Sequence, residues 1–475
     1  MKIKYFAFLM FSMIITGCSQ VGSVNDIEPE YVLTEDNVFA DALTTEAFAN
    51  GMYTQWRSNG ITQMRNAMFL LTRTTCNTNV ARAYEFKIND VSPQSPLIEN
   101  YYKSLYLLMN QANTIISMLP TENPKNLSAE RKTEIIGEAY FNRGVATFML
   151  LRMFGEFWDI NSSYGVVLYD TPVTSNDGKI RASVKECYEQ IQSDLDKAAK
   201  MAPNFNCSYR ASRISAKAFS AKVAMYLNDF KKANDLAQDV LKECKQIGLV
   251  LESNYSDVFV NGYESTEMLF AIRTEYPEET ISTGIFNDFY FNGTDGTNIE
   301  RIGDDLVGEY EDGDLITGEN MDPRYKDIIV YTDEGLMMSK YLNNIDGEDV
   351  NPYYVLRLPE VYLIRAEALA RLGLKDDSRA MLKEITDRAG YDVNYVYDSI
   401  EDSELLLKIL QHKFIELYAE NYEEWFDMVR YNLIDGIDFV NKRYLRAFNH
   451  KCLPIPYAAI AGNGSLSQNP EYVHN

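Results

Sequence analysis

Two glutamates, Glu416 and Glu420, lie four residues apart in a segment with helical periodicity, so they fall on one face of the predicted helix. Acid–base cleavage of a glycosidic bond requires paired carboxylates of this kind. Carboxylates at this spacing on an acidic surface are usually solvated, and we favour that interpretation. The histidines His412, His450 and His474 form neither a zinc-protease motif nor a serine-type triad. The sequence therefore predicts a protein that is not an enzyme.

Two other stretches combine aromatic rings with amide and guanidinium groups, the mixture that binding of a neutral oligosaccharide requires. Rings pack against the C–H faces of a sugar, while Asn and Arg side chains hydrogen-bond to its hydroxyls. In the alternative interpretation, the aromatic residues pack a core and the asparagines cap turns. The candidate ligand-binding residues are Arg73, Asn77, Asn79, Arg82 and Tyr84 in the first stretch, and Phe289, Tyr290 and Asn292 in the second.

The overall charge limits the class of partner. The 475 residues carry a formal net charge of −24 at pH 7, whereas binding to nucleic acid depends on Lys and Arg that neutralise phosphates. We therefore expect no nucleic-acid partner. Residues Asp304 to Asp322 are rich in carboxylates, which Ca²⁺ prefers as ligands, but their spacing does not match an EF-hand loop. A solvated acidic loop is the simpler interpretation, so we predict no cofactor, and a structural Ca²⁺ stays open.

Several other segments of the chain show helical periodicity. From Tyr101 to Trp158, apolar residues recur at helical spacing on both sides of Pro120, which cannot continue a helix. Gly155 is placed to end the second helix. We predict a helical hairpin here, one unit of a stacked-helix fold.

A helical pair with a short turn, Ser212–Leu227 and Lys231–Cys244, resembles a tetratricopeptide repeat, and Ala366–Arg388 resembles it again. Aligning Ala221 with Ala366 places the turn Leu227-Asn228 on Leu372-Gly373. Other predicted helices are Thr45–Trp56 with Thr44 or Thr45 as N-cap, Val184–Ala199, and a weaker pair within Glu404–Arg430. The region from Arg57 to Asn100 is predicted to be a long connection, and short β-like runs occur at Met268–Arg273 and Ile328–Tyr331.

Five segments, in this order, resemble the signature of the SusD/RagB family. They are LYLLMNQANTII, AYFNRGVATFMLLRMFG, RLPEVYLIRAEA, ELYAENYEEWFDMVR, and LPIP followed by Gln468-Asn469-Pro470. Three positions depart from the pattern, because Asn421 replaces a glycine, Glu424 an arginine and Ala459 an acidic residue. These positions are architectural, so they do not affect the family assignment.

The resemblance implies a mainly α fold, in which tetratricopeptide-like helical repeats carry an irregular, loop-rich ligand-binding lobe. It implies a surface lipoprotein that acts as the lid of a SusC-type TonB-dependent transporter in the outer membrane. Such a protein binds oligosaccharide without cleaving it. Family members commonly place sugar contacts between the first helix and the hairpin, where Arg73 to Tyr84 lie.

The N-terminal sequence is also consistent with a surface lipoprotein. Lys2 and Lys4 precede a short apolar run, and Ile15-Thr16-Gly17-Cys18 resembles a bacterial lipobox. Family resemblance implies cleavage before Cys18 and lipid attachment to its sulfur, although an ordinary secretory signal is the alternative. Five cysteines then remain, and nothing in their spacing requires a disulfide.

Two other functions stay open, namely capture of peptides, as in RagB-type relatives, and a scaffold that binds no small ligand. The predicted organisation is a signal peptide (1–17), lipidated cysteine and tether (18–44), helical region with the first ligand loop (45–248), irregular lobe (249–351) and C-terminal helical region (352–475).

Overall fold

A computed structural model describes residues 37–71, 84–174, 178–273, 322–332, 335–338, 340, 344–345, 348–349, 352–437 and 450–472. The described chain is mainly helical, which confirms the predicted fold class. None of its described helices combines the length and the apolar character that crossing a bilayer requires. By their contacts the described residues divide into two compact units, 37–48 with 122–127 and the described residues of 49–121 with those from 128 onward.

The helices and strands are numbered here in chain order. The helices are α1 Ala42–Trp56, α2 Asn59–Leu71, α3 Tyr84–Lys87, α4 Pro96–Met118, α5 Ala129–Phe154, α6 Val184–Met201, α7 Arg213–Tyr226, α8 Phe230–Gln246, α9 Asp257–Asn261, α10 Tyr325–Ile328, α11 Leu358–Arg371, α12 Lys375–Ala389, α13 Tyr395–Ser399, α14 Leu405–Glu416, α15 Glu423–Asp435 and α16 Tyr457–Gly462. The strands are β1 Met268–Ile272, β2 Ile329–Thr332, β3 Gly335–Met338, β4 Asn344–Ile345, β5 Glu348–Asp349 and β6 Tyr353–Arg357.

The predicted hairpin is confirmed as α4 and α5. Helix α5 begins after Ser128, whose hydroxyl accepts a hydrogen bond from the Arg131 N–H, and it ends at Gly155. Nearly every residue of α5 from Ile135 to Phe154 is buried, so this helix is central in the core. A Cβ at Gly137 would lie 2.2 Å from the backbone nitrogen of Ala202, and only glycine allows the end of α6 to approach this closely.

The two predicted repeat turns adopt the same backbone conformation. Asn228, between α7 and α8, has φ of 57°, and Gly373, between α11 and α12, has φ of 79°. Asparagine and glycine tolerate this left-handed region better than other residues. The alignment of Leu227-Asn228 with Leu372-Gly373 is therefore confirmed, and both helical pairs exist as predicted.

Strand β1 confirms the first β-like run, and β2 confirms the second. Strands β1 and β6 pair antiparallel, with Met268 opposite Arg357 and Ile272 opposite Tyr353. Every residue of both strands is buried. Strand β2 pairs with β3, and β4 with β5. The boundaries proposed for the irregular lobe stay predictions.

Two local predictions are wrong. The region after Arg57 is not one long connection, because α2 occupies Asn59–Leu71 with Ile61, Met64 and Met68 buried. Helix α1 begins at Ala42, before the predicted cap. Its first turn is capped by Asp41, whose carboxylate accepts a 2.9 Å hydrogen bond from the Thr44 N–H.

Candidate ligand-binding site

A polar pocket of about 450 Å³ lies where α1, the loop before α7 and the end of β1 meet. Its volume lies within the range of roughly 300–1,000 Å³ that is usual for small-ligand sites. We call it the arginine pocket. It is lined by Asn50, Tyr53, Thr54, Trp56, Arg57, Tyr209, Arg210, Phe270, Ala271, Ile272 and Arg273.

The floor of the arginine pocket is aromatic and fixed. The indole N–H of Trp56 donates a 2.6 Å hydrogen bond to Oδ1 of Asn142 on α5. The Trp56 ring meets Phe270 of β1 edge to face, with 6.2 Å between the ring centres. Both side chains are buried. Because α5 and β1 belong to the core, the floor has little freedom to move.

One wall is held by a buried carboxylate. The Tyr53 hydroxyl donates a 2.6 Å hydrogen bond to Glu138 and accepts one from the Ala211 N–H at 3.1 Å. The Arg210 guanidinium lies 4.2 Å from the centre of the Tyr53 ring and donates to Oδ1 of Asn50 at 2.5 Å. Burial and the neighbouring Glu138 raise the pKa of Tyr53 well above its usual range, so this phenol stays neutral.

The rim pairs a second tyrosine with a second arginine. The Arg273 guanidinium lies 4.7 Å from the centre of the Tyr209 ring, and Tyr209 meets Tyr263 edge to face at 6.0 Å. The Ala271 N–H donates to the Ser208 carbonyl at 2.8 Å, which ties this loop to β1. Partial burial raises the pKa of Tyr209. The rim therefore places a planar, donor-rich cation against the ring of Tyr209.

This arrangement is suited to binding. Guanidinium groups donate in pairs to neighbouring oxygens, and a tyrosine ring offers an apolar face with a polar tip. The described residues that line the arginine pocket include no histidine, cysteine, aspartate or glutamate. They therefore supply recognition of polar oxygens and ring faces rather than a proton-transfer pair.

The described structure does not test the predicted ligand-binding residues. Of these, only Tyr84 falls in a described element, because it begins α3, and its side chain lies outside the described part. The chain runs from Arg273 at the pocket rim directly into the segment 274–321, which carries the second predicted stretch. The residues outside the description, which stay predictions, are Arg73, Asn77, Asn79, Arg82, Phe289, Tyr290 and Asn292.

The residues of the arginine pocket were not predicted from the sequence to form a site. Asn50 and Tyr53 lie on the predicted first helix, three residues apart and beside the face assigned to packing. Tyr209 and Arg210 form an aromatic–arginine pair just before the Ser212 N-cap, and Arg273 ends a predicted strand. Each of these residues is recognisable in the sequence from its immediate neighbours. Their assembly into one pocket depends on contacts between segments that are far apart in the chain, and hydrophobic periodicity does not indicate such contacts.

The interpretation of Glu416 and Glu420 as solvated side chains is wrong. Both are buried, and Arg357 donates two hydrogen bonds to Glu420, at 2.8 and 2.9 Å. Arg324 donates to Glu416 at 2.9 Å. Burial favours the neutral acid, but the charges of Arg388, Arg357 and Arg324 outweigh it and lower the pKa of Glu416. A glycosidase acid needs a raised pKa, so this pair is structural.

The described cysteines and acidic residues were also considered as disulfide partners and as metal ligands. Cys187, Cys207, Cys244 and Cys452 are free thiols. No group of three or more His, Cys, Asp or Glu residues in the described ranges could hold a metal ion. Asp322, at the end of the acidic stretch, accepts hydrogen bonds from Arg324 at 2.7 and 3.0 Å. The rest of that stretch lies outside the description, so the Ca²⁺ question stays open.

Comparison with known proteins gives consistent matches. Residues 26–227 match a SusD-like family described as starch-binding and associating with the outer membrane, and residues 285–472 match the SusD family. The chain is 26% identical over 430 residues to SusD-like protein P38 of Formosa agariphila, covering 81% of this chain and 82% of that protein.

Solved structures share the fold. A SusD superfamily protein of Bacteroides thetaiotaomicron superposes with a TM-score of 0.71 at 20% identity, over 92% of this chain and 100% of that one. A laminarin-binding SusD-like protein superposes with a TM-score of 0.66 at 19% identity, over 91% of this chain and 100% of that one.

Proposed function

Because the chain belongs to the SusD/RagB family, we propose that it captures oligosaccharides at a bacterial surface without cleaving them. The arginine pocket carries this proposal. It sets the ring of Tyr209 and the guanidinium groups of Arg210 and Arg273 around one cavity. A sugar offers C–H faces to the ring and neighbouring hydroxyls to the guanidinium groups. The match with a starch-binding family supports the same ligand class.

We extend the proposal to location and partner. Cys18 is the site of lipid attachment, and the residues between Cys18 and the folded part of the chain tether it to the outer membrane. The partner is a SusC-type TonB-dependent transporter, over which this chain acts as a lid. In this role the chain moves as a rigid body between an open and a closed position on the transporter. The family description of association with the outer membrane supports this location.

The proposal is tested by binding of the mature chain, solubilised in a sugar-free detergent, to immobilised polysaccharides in native gels. The panel contains laminarin, starch, xylan and cellulose ethers, and a protein digest serves in solution competition. Tyr209→Leu removes the ring at the rim, and we expect retardation by the recognised polysaccharide to fall at least severalfold. Tyr397→Leu is the matched control, because Tyr397 is 50% exposed on α13 and lies outside the pocket.

The outcomes separate the alternatives. Binding to one polysaccharide class that depends on Tyr209 but not on Tyr397 supports the proposal. Competition by the digest, with no retardation by any polysaccharide, would assign the chain to the peptide-binding branch. Co-purification with a transporter, with neither ligand bound, would make it a scaffold.

A further inference from the structure

A second cavity, of about 520 Å³, lies along α4 and shares no residue with the arginine pocket. Its other walls are the extended segment 166–173 and the segment that carries α16. We call it the tyrosine groove, because the rings of Tyr102, Tyr106 and Tyr169 line it. None of these rings takes part in the function proposed above.

The groove follows one face of α4. Glu99, Tyr102, Lys103, Tyr106 and Asn110 recur at helical spacing and all line it. Since Asn110 lies three turns of helix beyond Glu99, at 1.5 Å per residue this wall is roughly 16 Å long. An elongated ligand therefore fits along the helix better than a compact one.

The rings are fixed before any ligand arrives. The Tyr106 hydroxyl donates to the Val167 carbonyl at 3.0 Å and accepts from the Val167 N–H at 3.2 Å. The Tyr102 and Tyr106 ring centres are 4.6 Å apart, and Tyr169 meets Tyr106 edge to face at 5.9 Å. Asn113 ties the segment down by donating to the Tyr169 carbonyl at 2.8 Å. Binding to such a preformed surface loses little side-chain entropy.

The surface of the groove is apolar and open, yet its rim is neutral overall. Leu107 and Val173 are 44% and 46% exposed in the groove. A mostly apolar and aromatic lining with a few polar groups is typical of small-ligand sites. Glu99 and Lys103, both exposed, carry opposite charges, and Asn110 adds an amide at the far end. In a chain of net charge −24, this balance favours an uncharged ligand.

We propose that the tyrosine groove is a second binding site for a neutral oligosaccharide, in addition to the arginine pocket. The inference rests on the proposed function. A sugar chain presents C–H faces and hydroxyls in alternation, and the groove presents tyrosine rings beside amide, ammonium and carboxylate groups. The groove binds a further stretch of the same glycan class and so raises the avidity of capture.

The test is a calorimetric titration of the mature chain, in sugar-free detergent, with the hexasaccharide of the polysaccharide that retards the chain in native gels. The Tyr102 ring meets Phe154 edge to face at 5.1 Å. Tyr102→Leu removes the ring while keeping an apolar side chain at this position, and Lys103→Met removes the exposed ammonium. Tyr397→Leu is again the control. Hydrogen exchange of residues 166–174, measured with and without hexasaccharide, gives a second readout.

We expect two equivalents of hexasaccharide on the unaltered chain and on the Tyr397→Leu control. With Tyr102→Leu, we expect the affinity of one equivalent to fall about tenfold, which corresponds to about 1.4 kcal/mol. The protection from hydrogen exchange that the hexasaccharide gives to residues 166–174 is expected to fall in parallel. Lys103→Met is expected to weaken the same equivalent by a smaller factor.

Full binding by both groove variants, with loss of all binding in Tyr209→Leu, would overturn this inference and leave the proposed function intact. Glycan binding unchanged in the groove variants, with loss of transporter co-purification, would make the groove a protein-docking surface and also overturn it. Absence of any glycan binding by the unaltered chain would overturn both proposals.

Discussion

Replacing Arg357 with methionine is expected to destabilise the fold strongly, because Arg357 lies within a buried, charge-balanced cluster. Its guanidinium donates to Glu420, to Glu267 at 2.8 Å and to the Glu416 carbonyl at 2.8 Å. Every charged side chain of the cluster is at most 4% exposed. The described cluster contains four carboxylates, Asp322, Glu267, Glu416 and Glu420, and four cations, Arg324, Lys340, Arg357 and Arg388.

The magnitude follows from what the substitution leaves behind. Without Arg357 the cluster holds three cations against four carboxylates, so one buried negative charge loses its compensation. Breaking a buried ion pair by removing one partner reduces the free energy of unfolding by about 3–5 kcal/mol. Glu416 keeps Arg324 and Arg388, and Glu420 keeps Lys340. Because these partners remain, we expect the lower part of that range.

The loss is expected to depend on pH. Burial raises the pKa of Glu267 above its ordinary value, and removal of Arg357 raises it further, because that guanidinium favours the carboxylate. Below this raised pKa, a proton on Glu267 restores the charge balance. The destabilisation is therefore larger at pH 8 than at pH 5. A simple loss of packing would be the same at both pH values.

Urea unfolding of the mature chain, followed by circular dichroism at pH 8 and pH 5, measures this effect. Urea is uncharged, so it does not screen the interactions between the charged side chains. Arg365→Met is the matched control, because Arg365 is partly exposed on α11 and its guanidinium contacts Asn234 and Met381. We expect the control to lose less than about 1 kcal/mol, as is usual for surface groups. A loss below about 1 kcal/mol for Arg357→Met, or a loss equal at both pH values, would show that the buried charges of this cluster are not the source of the stability.

Three further outcomes are expected. Burial and then Arg324 lower the pKa of His412 to about 3, so the free energy of unfolding falls as pH drops from about 6.5 towards 3, by up to about 1.4 kcal/mol per pH unit. Urea unfolding of His412→Gln over this range should give a flatter profile, and an unchanged slope would contradict the assignment. Gly137→Ala should lower the thermal unfolding midpoint measurably, because its Cβ would meet the Ala202 backbone; an equal midpoint would show that α6 shifts freely. Ser183→Ala should reduce the free energy of unfolding by about 1 kcal/mol, since it breaks the capping box with Glu186, and Ser193→Ala within α6 serves as its control.

Local signals predicted the helical frame well. Hairpin α4–α5 follows from apolar spacing and from the stop residues Pro120 and Gly155, and the repeat turns follow from Asn228 and Gly373. These features depend on neighbours in the sequence, where propensity and periodicity act. Helix α2 was missed because its apolar residues alternate with polar ones and because Gly60 is a poor helix former.

Long-range features were not predictable in the same way. The pairing of β1 with β6 joins two segments that are far apart in the chain, since Ile272 pairs with Tyr353 and Met268 with Arg357. Charged residues are rarely buried, so a sequence reading places Glu416 at the surface. Only the folded chain shows that three arginines surround it. The arginine pocket is of the same kind, because it joins three distant segments.

One calorimetric comparison tests whether the chain captures oligosaccharide at the arginine pocket. The mature chain and its Tyr209→Leu variant are titrated with the hexasaccharide of the recognised polysaccharide. We expect the unaltered chain to bind, and we expect an affinity at least about tenfold lower for the equivalent at the arginine pocket in the variant. Equal affinities for the two proteins, or no heat of binding for any glycan with the unaltered chain, would contradict it.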